Sequence, residues 1–525
     1  MKVKQALFTK TLALYSDGLM YRNNIRQIQF EDFDLPFGGK LRSDNRWVKM
    51  AKFIQWEEFD SIYAKALSGS KTGPPALVVR VALGALIIKE RLGTSDEETV
   101  EQIRENPYLQ YFLGFKEYKD EKPFHPTLFV HFRKRLGKGV VGQINDLMVK
   151  KAMPDRKDSS EDEPTDNQDN DGDSSGLTQK NKGKLLVDAT CAPADITFPT
   201  DLKLLNSARE KSEKVIDILH KPFVGRLKKP RTYRKVARKK YLAAAKSKRL
   251  TRSKRRKALR AQLGYLKRNL ETIEKQSQQT PLSVLHPRKY KNLLVIHEVY
   301  RQQQWMFDQR ISRIDDRIVS LSQPHVRPIK RGKAGAQTEF GAKISISLVE
   351  GFSYLDRISW DNYNEGGDLK GQIESYRARF GFYPASVHAD KIYRNRGNRK
   401  FCKKHHIRLS GPALGRPPKV VDKAKKAQAR KDDLDRIPVE GKFGQGKRRF
   451  SLARIMCKLA ITSETAIGVV FLVMNLERWL KVPLFSLFLV VHGSIRCHFG
   501  HHRAIFRCYK GVPNGLSPKP NRSTC

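Results

Sequence analysis

From Lys221 to Leu270 the sequence holds 21 lysines and arginines and not one acid. Acid is short throughout: 54 Asp+Glu against 102 Lys+Arg give a formal net charge of +48 over 525 residues. A compact chain with that excess repels itself and attracts polyanions. This argues against an ordinary small-metabolite enzyme and puts nucleic acid first among partners, an anionic membrane surface second. Cysteine is sparse as well. Six are scattered through the chain, with no dense framework of the secreted type, so a reducing compartment is expected. Long apolar runs are missing. The most apolar stretch, Ala466 to Val491, is broken by Asn475, Glu477, Arg478, Lys481 and Pro483. Neither half reaches the roughly 20 apolar residues of a spanning helix, so it reads as a core helix followed by a tail, with no membrane partner. The N-terminal MKVKQALFTKTLALYSDG has neither a long apolar core nor a small-residue cleavage site, and no signal peptide is expected.

What is present falls into segments. Residues 1–46 are weakly patterned. Residues 47–153 carry apolar residues at helical spacing, with Ser95 and Glu98 placed as a capping box and Pro126-Thr127 opening a helix that ends at Gly137. Residues 154–183 are acidic and polar, with nine acids and two bases between Asp155 and Asp173, which predicts a disordered linker. Residues 184–480 alternate strand and helix signals. KLLVDATCAPADITFP is a buried strand, AKISISLV and GFSYLDRISW an antiparallel pair, DLKGQIESYRARFGF a helix, YPASVHAD a short buried strand, NRKFCKKHH a helix and IRLSG a strand. A basic helical insertion occupies 203–333, and a tail 481–525. The order predicts a mixed α/β sheet flanked by helices, preceded by an all-α domain.

Three acids stand where acids are costly. Asp188 ends the apolar run LLVD, Asp390 ends SVHAD, and Glu440 lies in RIPVEGKFGQGK, with Pro438 marking a first helical turn. A strand-end acid is expensive to desolvate unless paired or metal-bound; the plain alternative is that each simply begins a polar loop. Neighbouring strands would bring Asp188 and Asp390 together, and a packed helix would add Glu440. Clustered carboxylates repel one another, and a divalent cation relieves that repulsion. Mg²⁺ suits oxygen ligands and takes few carboxylates. Two such ions stabilise both oxygens of an in-line phosphodiester displacement.

The blocks around these acids resemble those of bacterial insertion-sequence transposases with a DDE catalytic core, of the insertion-sequence-five-like group. LLVDATCAPADITFPTDLKLLNSARE is similar to the first-Asp block, VHADKIYRNRGNRKFCKKHHIRLSG to the second, and RIPVEGKFGQGKRRFSLARI to the Glu block. Arg436, Glu440 and Lys447 keep that block's spacing, whereas its Tyr three positions before the Arg is Asp433 here. The helical segment through FHPTLFVHFRKRLG resembles the domain that precedes the core in these proteins. The resemblance covers most of residues 50–480. It implies a ribonuclease H-like core with Asp188, Asp390 and Glu440 holding two Mg²⁺ ions, Mn²⁺ being an alternative. It implies DNA strand cleavage and strand transfer at the element's own ends, on double-stranded DNA of terminal repeats and target, by a homo-oligomer that pairs two ends in the bacterial cytoplasm. Arg436 and Lys447 would contact phosphate.

Further DNA contacts are expected from charge. Lys239, Arg255 and Arg256 lie in the acid-free run, which tracks the DNA backbone without reading sequence. Arg133, Lys134 and Arg135 lie on a candidate recognition helix. Asp195 and Asp201 are expected to be solvated or supporting, and His388 a core histidine. Lys391 and Tyr393 are placed between phosphate binding and a solvated loop. Cys497, His498, His501, His502 and Cys508 have metal-ligand chemistry but match no zinc module. Rival readings are a catalytically silent transposase-derived DNA-binding protein and a structure-selective nuclease of the same fold.

Overall fold

The computed structural model describes residues 29–67, 76–153, 180–330, 338–411 and 423–481. The acidic segment 154–179 and the tail beyond Lys481, with its Cys/His cluster, lie outside them. The chain divides into two compact units, Met1–Asn475 and Leu476–Cys525.

The helical part comprises α1 (Arg46–Phe53), α2 (Trp56–Leu67), α3 (Val79–Leu92), α4 (Asp96–Glu105), α5 (Pro107–Phe112) and α6 (Leu128–Ala152). Helix α3 is buried along most of its length and stops at Gly93, whose φ of 71° is open to glycine at little cost. Ser95 caps α4, its hydroxyl accepting from the Glu98 N–H at 3.0 Å, as the capping pattern predicts. The helix expected to end at Gly137 does break there (φ 58°, ψ 171°), but helical structure resumes at once and runs to Ala152.

Six strands form one sheet. These are β1 (Lys184–Pro193), β2 (Arg327–Lys330), β3 (Thr338–Val349), β4 (Phe352–Ser359), β5 (Ser386–His388) and β6 (Arg408–Leu409). The order is β2-β3-β1-β5-β6, with β4 also on β3. Strand β1 runs antiparallel to β3 and parallel to β5. It is central, with Leu185 and Val187 wholly buried, which explains its unbroken apolar run. The expected β3–β4 antiparallel pair forms. Strand β2 went unseen in the sequence because its four residues, RPIK, carry no alternation.

The insertion folds as helices α7 (Asp201–His220), α8 (Arg234–Ala245), α9 (Arg252–Ser277) and α10 (Pro287–Asp308). Leu205 and Ile216 of α7, Leu266 and Leu270 of α9, and Ile296 of α10 form its apolar core. The buried positions of α9 recur every three or four residues, so its many cations occupy the outer face.

Helices α11 (Leu369–Phe380), α12 (Arg396–Lys404), α13 (Lys423–Arg449) and α14 (Ala460–Lys481) complete the fold. Helix α13 corrects the sequence reading. Pro438 was expected in a first helical turn; the helix instead starts at Lys423 and holds Pro438 in its interior. The missing N–H of Pro438 removes one ladder bond, and packing of α13 on β1 and β5 holds the helix through that defect. Helix α14 is long and apolar enough to cross a membrane by length and composition, but 78% of its apolar window is buried. It is the expected core helix: Val470, Phe471 and Met474 are fully or almost fully covered.

Buried polar contacts join the helical part to the sheet. Asn475 accepts from the Ser353 N–H at 2.9 Å and donates to Asn145 Oδ1 at 2.8 Å. Glu90 of α3 accepts from the Ser451 N–H at 2.7 Å, just past the end of α13.

Candidate active site

Strand pairing brings the first two acids together. In the parallel register Leu186 lies opposite His388, and two further residues along each chain are Asp188 and Asp390. Asp390 stands just past β5 and caps the short turn Lys391–Tyr393. The third acid comes from α13. Arg436 donates to Asp390 Oδ1 at 3.2 Å and to Glu440 Oε1 at 2.9 Å, one helical turn on. The guanidinium therefore ties the strand-end acid to the helix acid.

The three carboxyls differ in environment. Asp390 and Glu440 are open to solvent, at 55% and 59% exposure. Asp188 is largely desolvated, and burial pushes its carboxyl up to about 6. The Ala189 N–H and Arg436 oppose that shift, while Asp390 and Glu440 add to it. Burial works against the charge of Arg436, but Glu440, Asp390 and Asp188 outweigh it and hold its pKa above the ordinary value. An oxygen-only donor set with surplus negative charge fits a divalent cation of the Mg²⁺ type.

A stability prediction follows from Asp188. Its folded pKa is raised, so the folded state is penalised only where the carboxyl must ionise. The penalty is absent below about pH 4, grows to about pH 6 and is complete above. Asp188→Asn is expected to stabilise the metal-free protein at pH 7.5 by roughly 1–2 kcal/mol and to change nothing at pH 4. Urea unfolding at both pH values checks this; no gain at pH 7.5 would contradict a desolvated carboxylate.

The other expected contacts divide. Lys447 is half-buried on α13, eleven residues after Arg436 and therefore on nearly the same helix face. Lys239 and Arg255 are exposed on α8 and α9. Arg256 is committed elsewhere: it donates to the Phe307 carbonyl at 3.0 Å and covers the Phe307 ring at 4.0 Å. Arg133, expected to meet DNA, is instead buried and pinned by two hydrogen bonds to Asp96, at 3.0 and 2.6 Å. Reaching phosphate would strip a desolvated ion pair of its partner, so Arg133 is a bundle residue. Its neighbour Lys134 is exposed, and Arg135 is half-buried near Tyr63.

Tyr393 is wholly buried, which rules out a solvated loop role, whereas Lys391 is exposed. Asp195 pairs with Arg454 at 2.5 Å, and Asp201 with Arg317. His388 is a core residue as expected, with Nε2 3.0 Å from Ser386 Oγ. Its two carboxylate neighbours, Asp432 and Asp435, went unnoticed in the sequence. The ligand atoms of His388, Asp432 and Asp435 lie within 4.8 Å of one another. The signal was there, since 432, 435, 436 and 440 share one helical stripe, but placing the first helical turn at Pro438 concealed it. A cavity of about 1480 Å³ opens elsewhere, beside Phe198, Trp305 and Phe340, and includes none of the three acids.

Comparison with known proteins gives two family matches. The model described as transposase DDE domain matches residues 387–477, a span holding Asp390, Arg436 and Glu440. A transposase domain of the DUF772 type matches residues 36–135, from the start of the helical part into α6. A protein of Rhizobium meliloti, described as uncharacterized protein ORF8 in the nfe locus, is 29% identical over 160 residues. That stretch is 30% of this chain and 66% of the relative, just under two thirds of its length. No solved structure matches.

Proposed function

We propose that this chain, which matches two transposase domains over residues 36–135 and 387–477, is a DDE transposase that cuts and joins DNA at the ends of its own insertion sequence. One observation carries the reading: β1 and β5 set Asp188 and Asp390 side by side, and α13 delivers Glu440 through Arg436. The sheet then corresponds to a ribonuclease H-like core over 184–480, with 203–333 inserted. Asp188, Asp390 and Glu440 hold the metal, most simply two Mg²⁺. When bound, the metal supplies Lewis-acid stabilisation of the attacking and leaving oxygens of the phosphodiester. Water attacks the phosphorus and displaces the 3′ oxygen of the element end, and the freed 3′ hydroxyl then attacks a target phosphodiester, displacing the target strand's own 3′ oxygen. Arg436 and Lys447 meet the phosphates beside the reacting bond. The helical domain and the basic insertion hold the duplex, two copies pair the ends, and the protein works on bacterial cytoplasmic DNA.

The test is a plasmid carrying the gene's native flanking DNA, incubated with the full chain and Mg²⁺. Breaks at defined ends, with those ends joined to new DNA, are expected. Scattered nicking without joining would instead indicate a structure-selective nuclease, and tight binding without breaks a silent binder.

Binding to the insertion is electrostatic and carries its own expectation. A protein neutralising six to ten phosphates loses about 10³–10⁵ in affinity between 50 and 200 mM salt. Replacing exposed Lys239 and Arg255 together by glutamine should reduce the slope of log K against log salt by about 1.8. Arg256→Gln should alter stability more than that slope. Anisotropy titrations across salt read all of this, and an unchanged slope in the double variant would remove the insertion from the interface.

A further inference from the structure

Four residues along one stripe of α13 divide into two layers. Asp432 and Asp435 form the first, and Arg436 with Glu440 forms the second. The strands facing them divide the same way. His388 and Asp390 are two apart, as are Leu186 and Asp188, and Lys184 opens β1. Lys184 donates to Asp435 at 2.8 Å. Arg408, at the start of β6, donates to both oxygens of Asp432, at 2.8 and 2.7 Å, and Gln428 adds a third bond at 2.9 Å. Between these pairs lies His388, fully buried. Its Nδ1 has no hydrogen-bond partner and lies 3.8 Å from Asp432; its Nε2 lies 3.9 Å from Asp435.

We propose that this layer is a positioning clamp: Lys184–Asp435 and Arg408–Asp432, closed around His388, fix the register of α13 on β1, β5 and β6, and so place Glu440 and Arg436 against Asp390 and Asp188. The proposal rests on the reading of those acids as the metal-holding set. A helix that slips by one residue moves 1.5 Å along its axis and turns by 100°. A misplacement of about 1 Å in a reacting constellation can cost a hundredfold in rate. The internal ladder of α13 is weakest just where this matters, because Pro438 lies between Asp435 and Glu440 and donates no bond. An external tether on the N-terminal side of that gap holds what the helix itself holds poorly.

The trio of His388, Asp432 and Asp435 has the donor types of a metal site, but both carboxylates already have cations. A metal would displace Lys184 and Arg408, stranding two charges at the seam. The buried ring fills the space between the pairs and leaves the acids to the cations.

The test uses the full chain without DNA. Mn²⁺ binding is measured by electron paramagnetic resonance for wild type, Asp390→Ala, Lys184→Ala, Asp435→Asn and Lys184→Arg. Lys184 is half-exposed at a strand start, so its truncation spares the core even if Asp435→Asn folds poorly. Wild type is expected to bind Mn²⁺ and Asp390→Ala to lose it. Lys184→Ala and Asp435→Asn should weaken it by about 10-fold or more, the usual effect of a residue that orients a ligand. Lys184→Arg should restore it to near wild type. In cleavage assays the same variants should lose kcat while KM for DNA holds. Variants that bind Mn²⁺ like wild type would overturn the clamp and leave the function standing. Nitrogen coupling to Mn²⁺ in wild type, lost in His388→Gln, would also overturn it by making the trio a metal site. Failure of wild type to bind Mn²⁺ would overturn both.

Discussion

Asp390→Ala is expected to lower metal-dependent DNA cleavage by about a thousandfold or more while duplex affinity stays within about twofold of wild type. The two effects separate because they arise in different places. On the proposed function, cleavage would depend on charge gathered at one point, where Asp390 stands beside Asp188 across the strand register and is bridged to Glu440 by Arg436. On the same reading, affinity would come from cations spread over the insertion, far along the chain from that point. The substitution removes a half-exposed side chain whose structural bonds are few: it caps a three-residue turn and accepts from Arg436. Glu440→Gln should behave likewise. Cleavage at the wild-type rate in Asp390→Ala, measured on end-labelled DNA in Mg²⁺, would end the assignment of these acids.

The largest stability effect is expected at Gly341. It lies in β3 between Pro193 of β1 and Arg327 of β2, paired on both edges. A Cβ there would come 2.1 Å from the Ala192 carbonyl oxygen and 2.7 Å from the Pro193 Cα. Both are backbone atoms of a paired strand, so neither can rotate away, and relief requires moving β1, the strand that carries Asp188. Gly341→Ala should cost about 3 kcal/mol or more, and Gly341→Val should not give a cooperatively folded protein. Gly371, on α11 with open space around it, is the control. Gly371→Ala is expected to stabilise by about 0.5–1 kcal/mol, since it only removes backbone freedom from the unfolded chain. Urea midpoints order the three proteins, and a Gly341→Ala midpoint equal to wild type would mean that β1 and β3 are not as closely apposed as described.

Much of the site was legible because its signals are local. Asp390 stands just past the end of β5, as its place after an apolar run suggests, whereas Asp188 lies inside β1, which continues to Pro193 and is not the strand end that the run LLVD suggested. The excess of cations in 221–270 likewise raises, with no structure at all, the expectation that the segment attracts a polyanion. The Glu block was harder. Pro438 reads as the first turn of a helix, yet α13 begins at Lys423 and continues through Pro438 because its buried face packs on the sheet, and tertiary packing outweighs local propensity. That single difference hid Asp432 and Asp435, whose helical alignment with Glu440 exists only if the helix begins well before Pro438. Arg133 failed for the complementary reason. Its neighbours in sequence are basic, and nothing local reveals that Asp96, 37 residues earlier, returns to neutralise it.

Residue order alone thus determined the chemistry available to this protein: which segments form strands and helices, where the positive charge accumulates, and which acids are too costly to leave unpartnered in a sheet. Only the tertiary structure decided which of those groups meet. Asp188 and Asp390 are about 200 residues apart in the chain and become neighbours through the β1–β5 register; Glu440 reaches them through the docking of α13. Periodicity and composition act over a few turns or strand residues, whereas strand pairing and helix packing are set by the burial of surfaces contributed from distant parts of the chain.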